Sequence, residues 1–555
     1  MPQRHEPTAL IAVLIVAALL AAPARSQTPP DAGQVLRENT PAPIQPRPRE
    51  KLELTQPPLS TSPEEVGASA QVNTVILIGN TVFRTAILEK QLGDYRGRRY
   101  TLAQLRTLAN QIAAFYRLHR YPFTRVILPP QDLSGGELRI QILEGRYGRV
   151  TSGNKNPKLD RGATPFLSAL KTGNLIEGHL LERVVLIVDD QPGMKALPTI
   201  RPGEATGTGD FAANVRRVAR FGGDIGADNA GNRYVGEYRG TFNAYAFSPF
   251  MFGDQITLRG LYSGLGMQLG SIEYERPLGG SGLRGDVSLT QTDYQLGDQF
   301  KSLDASGYAR VFDARVKYPI IRSQNLNLTF VGGAEYEQLE DKFGTAGVID
   351  HKWSLSLPVT LQFDEHDRIF GGGVTYGAIG LLHGVLRLNP ELNQVDAATA
   401  RTAGAFTRLN LDISRVQNLI GHSSLFAHVL AQWSNKNLDS SEKFVLGGYY
   451  GVRGYPVGEG LSDRGWLLQS EARYAFQAFK PYALFDVGEA WPNAKPWDSA
   501  SQGHRDLASA GLGARLNYRH WFLDGSLAWQ VSGGPATSDR KNINPHPWIN
   551  IDYKF

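Results

Sequence analysis

The chain has 555 residues, a formal net charge of +5 and no cysteine; 60 residues are Gly and aromatic residues make up 10%. The missing cysteines exclude a disulfide-stapled fold, thiolate metal sites and cysteine nucleophiles. The basic excess is small and spread along the chain, which excludes a nucleic-acid footprint, while abundant Gly with aromatics points to many strands joined by tight turns.

Residues 1–26 read as a signal peptide. Arg4 and His5 precede an apolar run from Ala9 to Ala22, and both Ala22-Pro23-Ala24 and Ala24-Arg25-Ser26 fit a small-x-small cleavage site. The run is shorter than the roughly 20 residues of a spanning helix. Nothing later approaches such a length, so any membrane insertion uses β-strands. Residues 27–68 are Pro-rich and predict an extended tether. Within it, Asp31–Glu38 is able to form a short helix of poor isolated stability.

Residues 72–147 predict a small α/β domain of order β-α-α-β-β. A strand in "VNTVILIGNTVF" precedes a short helix, "TAILEKQL", and a longer one beginning after Thr101, a suitable N-cap. Leu102, Leu105, Leu108, Ile112 and Phe115 make one apolar stripe along the longer helix. Two strands, "TRVILPPQDL" and "ELRIQILEGRYGRV", complete the unit. Residues 149–216 read as a second copy. Its helices are predicted in "TPFLSALKTGN" and "EGHLLERVVLIVDDQPG", and its last two strands flank a Pro-Gly turn.

From about 217 to 555 the pattern has period two. In "WSLSLPVTLQF", Trp353, Leu355, Leu357, Val359, Leu361 and Phe363 share one face; in "LFAHVLAQW", Leu425, Ala427, Val429, Ala431 and Trp433 do. Alternation alone fits a soluble sandwich or an outer-membrane barrel. Three features select the barrel: charged residues recur on the polar face, the chain carries an export signal, and it ends in an alternating strand, "PWINIDYKF", closed by the aromatic Phe555. At roughly 20 residues per strand and turn the segment holds about 16 antiparallel strands.

A search for catalytic motifs finds no H-E-x-x-H. The Gly-x-Gly stretches "GTGD" and "GGGVTYG" do not follow a strand and open a helix, as a phosphate loop requires. His428 lies on the polar face of its strand with nothing nearby to complete a triad, and reads as a lumen histidine. No enzyme activity, cofactor or metal is expected.

The remaining signal is "GGYYGVRGYPVGEG" at 447–460, where one cation, Arg453, sits among glycines and tyrosines. Its apolar tip, with Tyr449, Tyr450, Val452 and Tyr455, favours a loop folded inward. Downstream, "ALFDVGEAW" places Ala483, Phe485 and Val487 on one face and Leu484, Asp486 and Gly488 on the other, so Asp486 points into the lumen. Gly488 there leaves room for a second backbone.

"VRGY" (Val452, Arg453, Gly454, Tyr455) with "FDVG" (Phe485, Asp486, Gly488) resembles the paired motifs of two-partner secretion outer-membrane transporters of the ShlB/FhaC/HecB type. Residues 79–145 resemble the first periplasmic POTRA domain of that family, "DIGADNAGNRYVGEYRGT" its first barrel strands, and "DAGQVLRE" the short N-terminal helix that can occupy the barrel. The resemblance implies a transmembrane β-barrel of 217–555 with POTRA domains at 72–147 and 149–216 in the periplasm. It also implies a salt bridge between Arg453 and Asp486, a charge-assisted pair expected near the low end of about 1.5–3 kcal/mol in a wet lumen. The implied function is export of an unfolded, β-rich, TpsA-like exoprotein through the outer membrane. The implied partners are that client, outer-membrane lipid and, through Phe555, the barrel assembly machinery, with no nucleic acid. Barrel-assembly insertases share the superfamily and the loop motif but usually carry more POTRA domains; they stand as the alternative.

Overall fold

The computed structural model describes residues 28–39 and 69–555, so the predicted signal peptide and most of the predicted tether lie outside the described residues. A short helix, α1 (Ala32–Glu38), comes first.

The first module then runs β1 (Ala70–Val72), β2 (Thr74–Ile78), α2 (Thr85–Glu89), β3 (Arg98–Tyr100), α3 (Leu102–Leu118), β4 (Arg125–Ile127) and β5 (Glu137–Leu143). Its main sheet has the order β2-β5-β4, with β2 and β5 parallel. Helix α3 starts at a reciprocal cap: Thr101 N–H donates to Gln104 Oε1 at 2.9 Å while Gln104 N–H points to Thr101 Oγ1 at 3.4 Å. Its buried stripe is Leu105, Leu108, Ala109, Ile112, Ala113 and Tyr116. Leu102 is instead 46% exposed. A helical side chain covers the turn before its own Cα, and the first helical residue has no such turn. The Tyr116 hydroxyl closes the stripe by donating to Glu144 Oε1 at 2.7 Å.

The second module comprises β6 (Arg146–Thr151), α4 (Pro157–Ala163), α5 (Gly178–Asp189), β7 (Met194–Ala196), β8 (Thr199–Pro202), β9 (Thr208–Ala212) and β10 (Val215–Arg217). The helix expected in "TPFLSALKTGN" lies elsewhere. The α-helical turns begin earlier, at Asn156, whose side chain caps Lys158 N–H at 3.0 Å, and continue only as a 3-10 turn over Thr164–Leu167. Pro165 in that turn has no N–H to continue an α-helix. The second half carries four short strands rather than two: β8 pairs with β9 and β7 with β10.

The barrel strands are β11 (Phe221–Asp228), β12 (Arg239–Phe247), β13 (Gln255–Ser263), β14 (Gln268–Pro277), β15 (Arg284–Gln295), β16 (Ala305–Arg322), β17 (Leu326–Phe343) and β18 (Val348–Asp367). They continue as β19 (Gly373–Leu388), β20 (Gly404–Asn418), β21 (Ser423–Ser434), β22 (Arg464–Tyr474), β23 (Phe479–Trp491), β24 (Arg505–Tyr518), β25 (Trp521–Ser532) and β26 (His546–Lys554). All sixteen pair antiparallel with their chain neighbours, and β26 closes on β11. Reciprocal backbone bonds between Gly223 and Phe555, at 3.1 and 3.0 Å, extend the seam to the last residue. The turns on the side of the α/β modules are short; the opposite loops are longer, the longest being 435–463.

Apolar residues on one parity of each strand stay exposed, as Leu355 (49%), Leu357 (55%) and Val429 (36%) illustrate, while Asp313, Glu337, Glu471, Asp486 and Asp524 on the other parity are buried. This inversion of the soluble pattern defines a lipid-facing exterior and a polar lumen. The second module contacts the near end of the barrel: Arg322 binds Asp190 through two bonds of 2.6 Å, and Arg183 donates to the Pro319 carbonyl at 2.7 Å.

Candidate functional site

Loop 435–463 turns back into the barrel. Backbone bonds from Val452 N–H to Leu446 O (2.8 Å) and from Gly448 N–H to Tyr455 O (3.1 Å) tie its tip into a compact turn. Val452 and Tyr455 pack with Phe444, Leu446, Leu467, Ala490 and Leu507 in a cluster under the loop. The burial of two residues from "GVRGY" in this cluster is the apolar force that holds the loop inward.

At the tip, Arg453 is 4% exposed and Asp486 is fully buried. Arg453 Nε donates to Asp486 Oδ2 at 2.9 Å and Nη2 to Oδ1 at 2.6 Å, a bidentate pair. The Arg453 backbone N–H adds a third bond to Oδ2 at 3.1 Å. The remaining guanidinium nitrogen, Nη1, reaches Glu471 Oε1 at 2.6 Å. Burial opposes the charge on Arg453, but the Asp486 hydrogen bonds and the two carboxylates more than offset it and push its pKa further up. The wet lumen expected from the sequence is here a dry, saturated contact, so removal of one partner is costly.

Glu471 was not legible as a partner, although its strand carries Gln469, Glu471 and Arg473 on the parity that faces the lumen. It is the hub of the site. Arg515 Nη1 and Nη2 reach it at 2.9 and 3.0 Å, and Arg473 Nε at 2.7 Å. Arg515 also binds Asp524 at 2.9 Å, which accepts from the hydroxyls of Tyr449 (2.9 Å) and Tyr482 (2.7 Å). Three arginines thus face three carboxylates across the loop, β22, β23, β24 and β25.

The motif glycines leave space for this contact. A Cβ on Gly454 would stand 2.8 Å from Ser509 Cβ and 3.2 Å from the Trp529 carbonyl; one on Gly488 would stand 2.5 Å from the Trp466 carbonyl. Phe485 is 45% exposed on the lipid side. The Tyr455 hydroxyl donates to the carbonyls of Ser532 and Gly534 at 2.6 and 3.0 Å, and Trp548 Nε1 donates to the Arg453 carbonyl at 2.7 Å. His428 lies between Asp412 Oδ1 (3.0 Å) and Gln469 Oε1 (3.3 Å) on the lumen wall.

Helix α1 occupies the lumen beside this loop. Asp31 caps it through Gln34 N–H at 2.9 Å and takes Lys352 Nζ (2.8 Å) and Ser440 Oγ (2.7 Å) on its other oxygen. Ala32 N–H donates to Asp341 Oδ1 at 2.7 Å, and Arg37 Nε to the Lys443 carbonyl at 2.8 Å. Glu38 accepts from Asn232 Nδ2 at 3.0 Å. Ala32 and Val35 of the helix enter an apolar cluster of the lumen, with Tyr234, Met267, Tyr294 and Phe300 among its members, and Leu36 packs against it. The helix is therefore held by this short apolar side and by polar contacts, and water can replace the polar ones on undocking.

A closed barrel that carries α/β modules at one mouth and an inward-folded loop and helix in its lumen defines a polypeptide-handling barrel of the outer membrane. Residues 207–516 match the family described as haemolysin secretion/activation protein ShlB/FhaC/HecB, and residues 70–145 match the ShlB-type POTRA domain. The chain belongs to this family and is an outer-membrane transporter of two-partner secretion. It is 28% identical over 480 residues to HuxB of Haemophilus influenzae, described as a heme/hemopexin transporter protein, covering 84% of this chain and 83% of that one. The solved structure of CdiB from Escherichia coli matches with a TM-score of 0.69 at 16% identity over 100% of both chains. BamA from Haemophilus ducreyi lacking POTRA domains 1-3 matches with a TM-score of 0.52 at 11% identity, over 88% of this chain and 100% of that one. These structural likenesses concern the fold.

Proposed function

We propose that the two α/β modules capture an unfolded, β-rich exoprotein of the haemolysin or adhesin class and hand it to a barrel whose lumen is vacated by α1. The observation that carries this reading is the manner in which α1 is held: by ion pairs and hydrogen bonds at Asp31, Arg37 and Glu38, with an apolar contact confined to Ala32, Val35 and Leu36. Undocking such a plug opens one apolar cluster of the lumen and leaves the polar contacts to water. In the first module β2 and β4 form the edges of the main sheet, and an extended client adds there as a strand, drawing affinity from its backbone and tolerating varied sequence. The Arg453–Asp486 pair is the anchor that keeps the loop on the wall while the client passes. Phe555, at the end of the closing strand, serves recognition by the barrel assembly machinery during insertion.

Deletion of residues 72–216 tests the reading. Secretion is followed as the large protein that disappears from the medium when the whole gene is removed. The deleted chain is expected to insert and conduct but to export nothing; export at the full level would refute the proposal. A general loss of outer-membrane barrels in the gene-deletion strain would instead favour an insertase.

A further inference from the structure

On the lipid side of β14–β18 the barrel wall carries a depression of about 750 Å³, within the roughly 300–1,000 Å³ of ordinary ligand sites. Its floor follows from the strand register. Arg276, Gly285, Val316, Gly332 and Val359 lie directly opposite one another across five strands. In the next outward row, Tyr274, Val287 and Ala314 are aligned. Two glycines and an alanine stand where the rows on either side carry Leu289, Phe312, Tyr318 and Phe330, so the floor is sunk between bulky rims.

The mouth of the depression toward the second module is cationic. The Arg276 side chain is exposed and makes no ion pair or hydrogen bond with the described residues. Arg183, from α5, reaches the same turn at the Ser281 carbonyl (3.5 Å) and lies 5.8 Å from the Tyr318 ring centroid. Its hydrogen bonds go to carbonyls alone. Phe250, 76% exposed on the neighbouring short turn, and Tyr274 mark this level as the periplasmic membrane interface.

We propose that this depression is a binding site for one anionic phospholipid of the periplasmic leaflet, an acyl chain lying on the Gly285–Ala314–Gly332 floor and the phosphate bound by Arg276 and Arg183. A guanidinium binds phosphate through paired N–H donors. An arginine at the edge of hydrocarbon with no protein carboxylate has lipid phosphate as its complementary charge. Because Arg183 belongs to α5, the headgroup bridges the second module to the barrel and fixes the angle at which the modules face the lumen.

The test is native mass spectrometry of the full-length protein in detergent, titrated with phosphatidylglycerol or with phosphatidylethanolamine of the same acyl chains. Phosphatidylglycerol is expected to bind about tenfold more tightly. Arg276→Glu is expected to abolish that preference, Arg276→Lys to keep most of it, and Ala314→Phe to weaken retention of both lipids. Heat-modifiable gel migration verifies that each variant is a folded barrel. Equal binding of the two lipids by the unaltered protein, or unchanged binding in both Arg276→Glu and Ala314→Phe, would overturn the proposal. So would a stable dimer that Ala314→Phe dissolves, which would assign the depression to a second copy of the chain.

Discussion

The Arg453–Asp486 contact predicts an asymmetric double-mutant cycle. Arg453→Ala strands a fully buried carboxylate: Asp486 keeps the Ser509 hydroxyl at 3.1 Å and one backbone N–H, but no cation. Breaking a buried pair from one side in this way costs about 3–5 kcal/mol. Asp486→Ala is milder, because Arg453 retains Glu471 at 2.6 Å; the bidentate pair lost, taken as one charge-assisted contact, costs about 1.5–3 kcal/mol. The double variant removes both charges and leaves nothing stranded at this position, so it resembles Asp486→Ala and is more stable than Arg453→Ala.

The chain lacks cysteine, so a single Val452→Cys reports cleanly on the loop. Val452 is fully buried and is labelled only when the loop leaves the wall. Every 1.4 kcal/mol of lost anchoring raises the labelling rate about tenfold. Relative to the Val452→Cys background, Arg453→Ala is expected to accelerate labelling by about 100-fold or more, and Asp486→Ala and the double variant by about tenfold to 100-fold. Independent effects would make the double rate the product of the single ones. That outcome would refute the direct pair.

The other expectations concern α1. A Cβ on Gly33 would stand 2.6 Å from the Ser441 backbone nitrogen and closer still to the Ser440 hydroxyl, so Gly33→Val is expected to expel the helix and raise single-channel conductance in planar bilayers; conductance equal to the unaltered protein would contradict the docked geometry. Loss of solvent pushes the Glu38 carboxyl up to about 7, against the hydrogen bonds of Gln34 and Asn232 and the nearby Arg239, with Asp31 pushing the same way. A raised carboxyl stabilises the docked helix below its ordinary range near 4.5 and loses that contribution as pH rises through about 7. Conductance is thus expected to rise from pH 5.5 to pH 8.5, and Glu38→Gln to flatten the rise.

How much of this was legible depended on the kind of signal. Period-two runs such as Trp353–Phe363 fixed both the strands and their faces, because a barrel wall imposes one alternation over its whole height. Arg453 and Asp486 were legible because motif and alternation agreed on them. Glu471 was missed despite lying on the same parity as Gln469 and Arg473, since alternation gives a residue's face but not which of many lumen groups it meets. Antiparallel pairing in one particular register sets β22, β23 and β24 side by side, and only that register makes Glu471, Asp486 and Arg515 meet. Leu102 and the helix at Pro157 failed for local reasons: a first-turn position without shelter, and a proline that moved the helical turns toward the N-terminus.

The two occupants of the lumen are held by different arrangements of contacts. The loop is anchored by a bidentate pair of buried charges and by burial of Val452 and Tyr455, terms that are lost together if the tip moves. Helix α1 is held by the short apolar side of Ala32, Val35 and Leu36 and by polar contacts distributed over Lys352, Asp341, Ser440, Lys443 and Asn232, each of which water can replace singly. The loop and helix touch: a Cβ on Gly458 would stand 2.7 Å from Glu38 Oε1 and 3.0 Å from Gln34 Nε2. Departure of the helix therefore frees one side of the loop without breaking its anchor on the wall. The order of events that follows is helix first, with the loop still seated on β22–β25 as the lumen widens beside it.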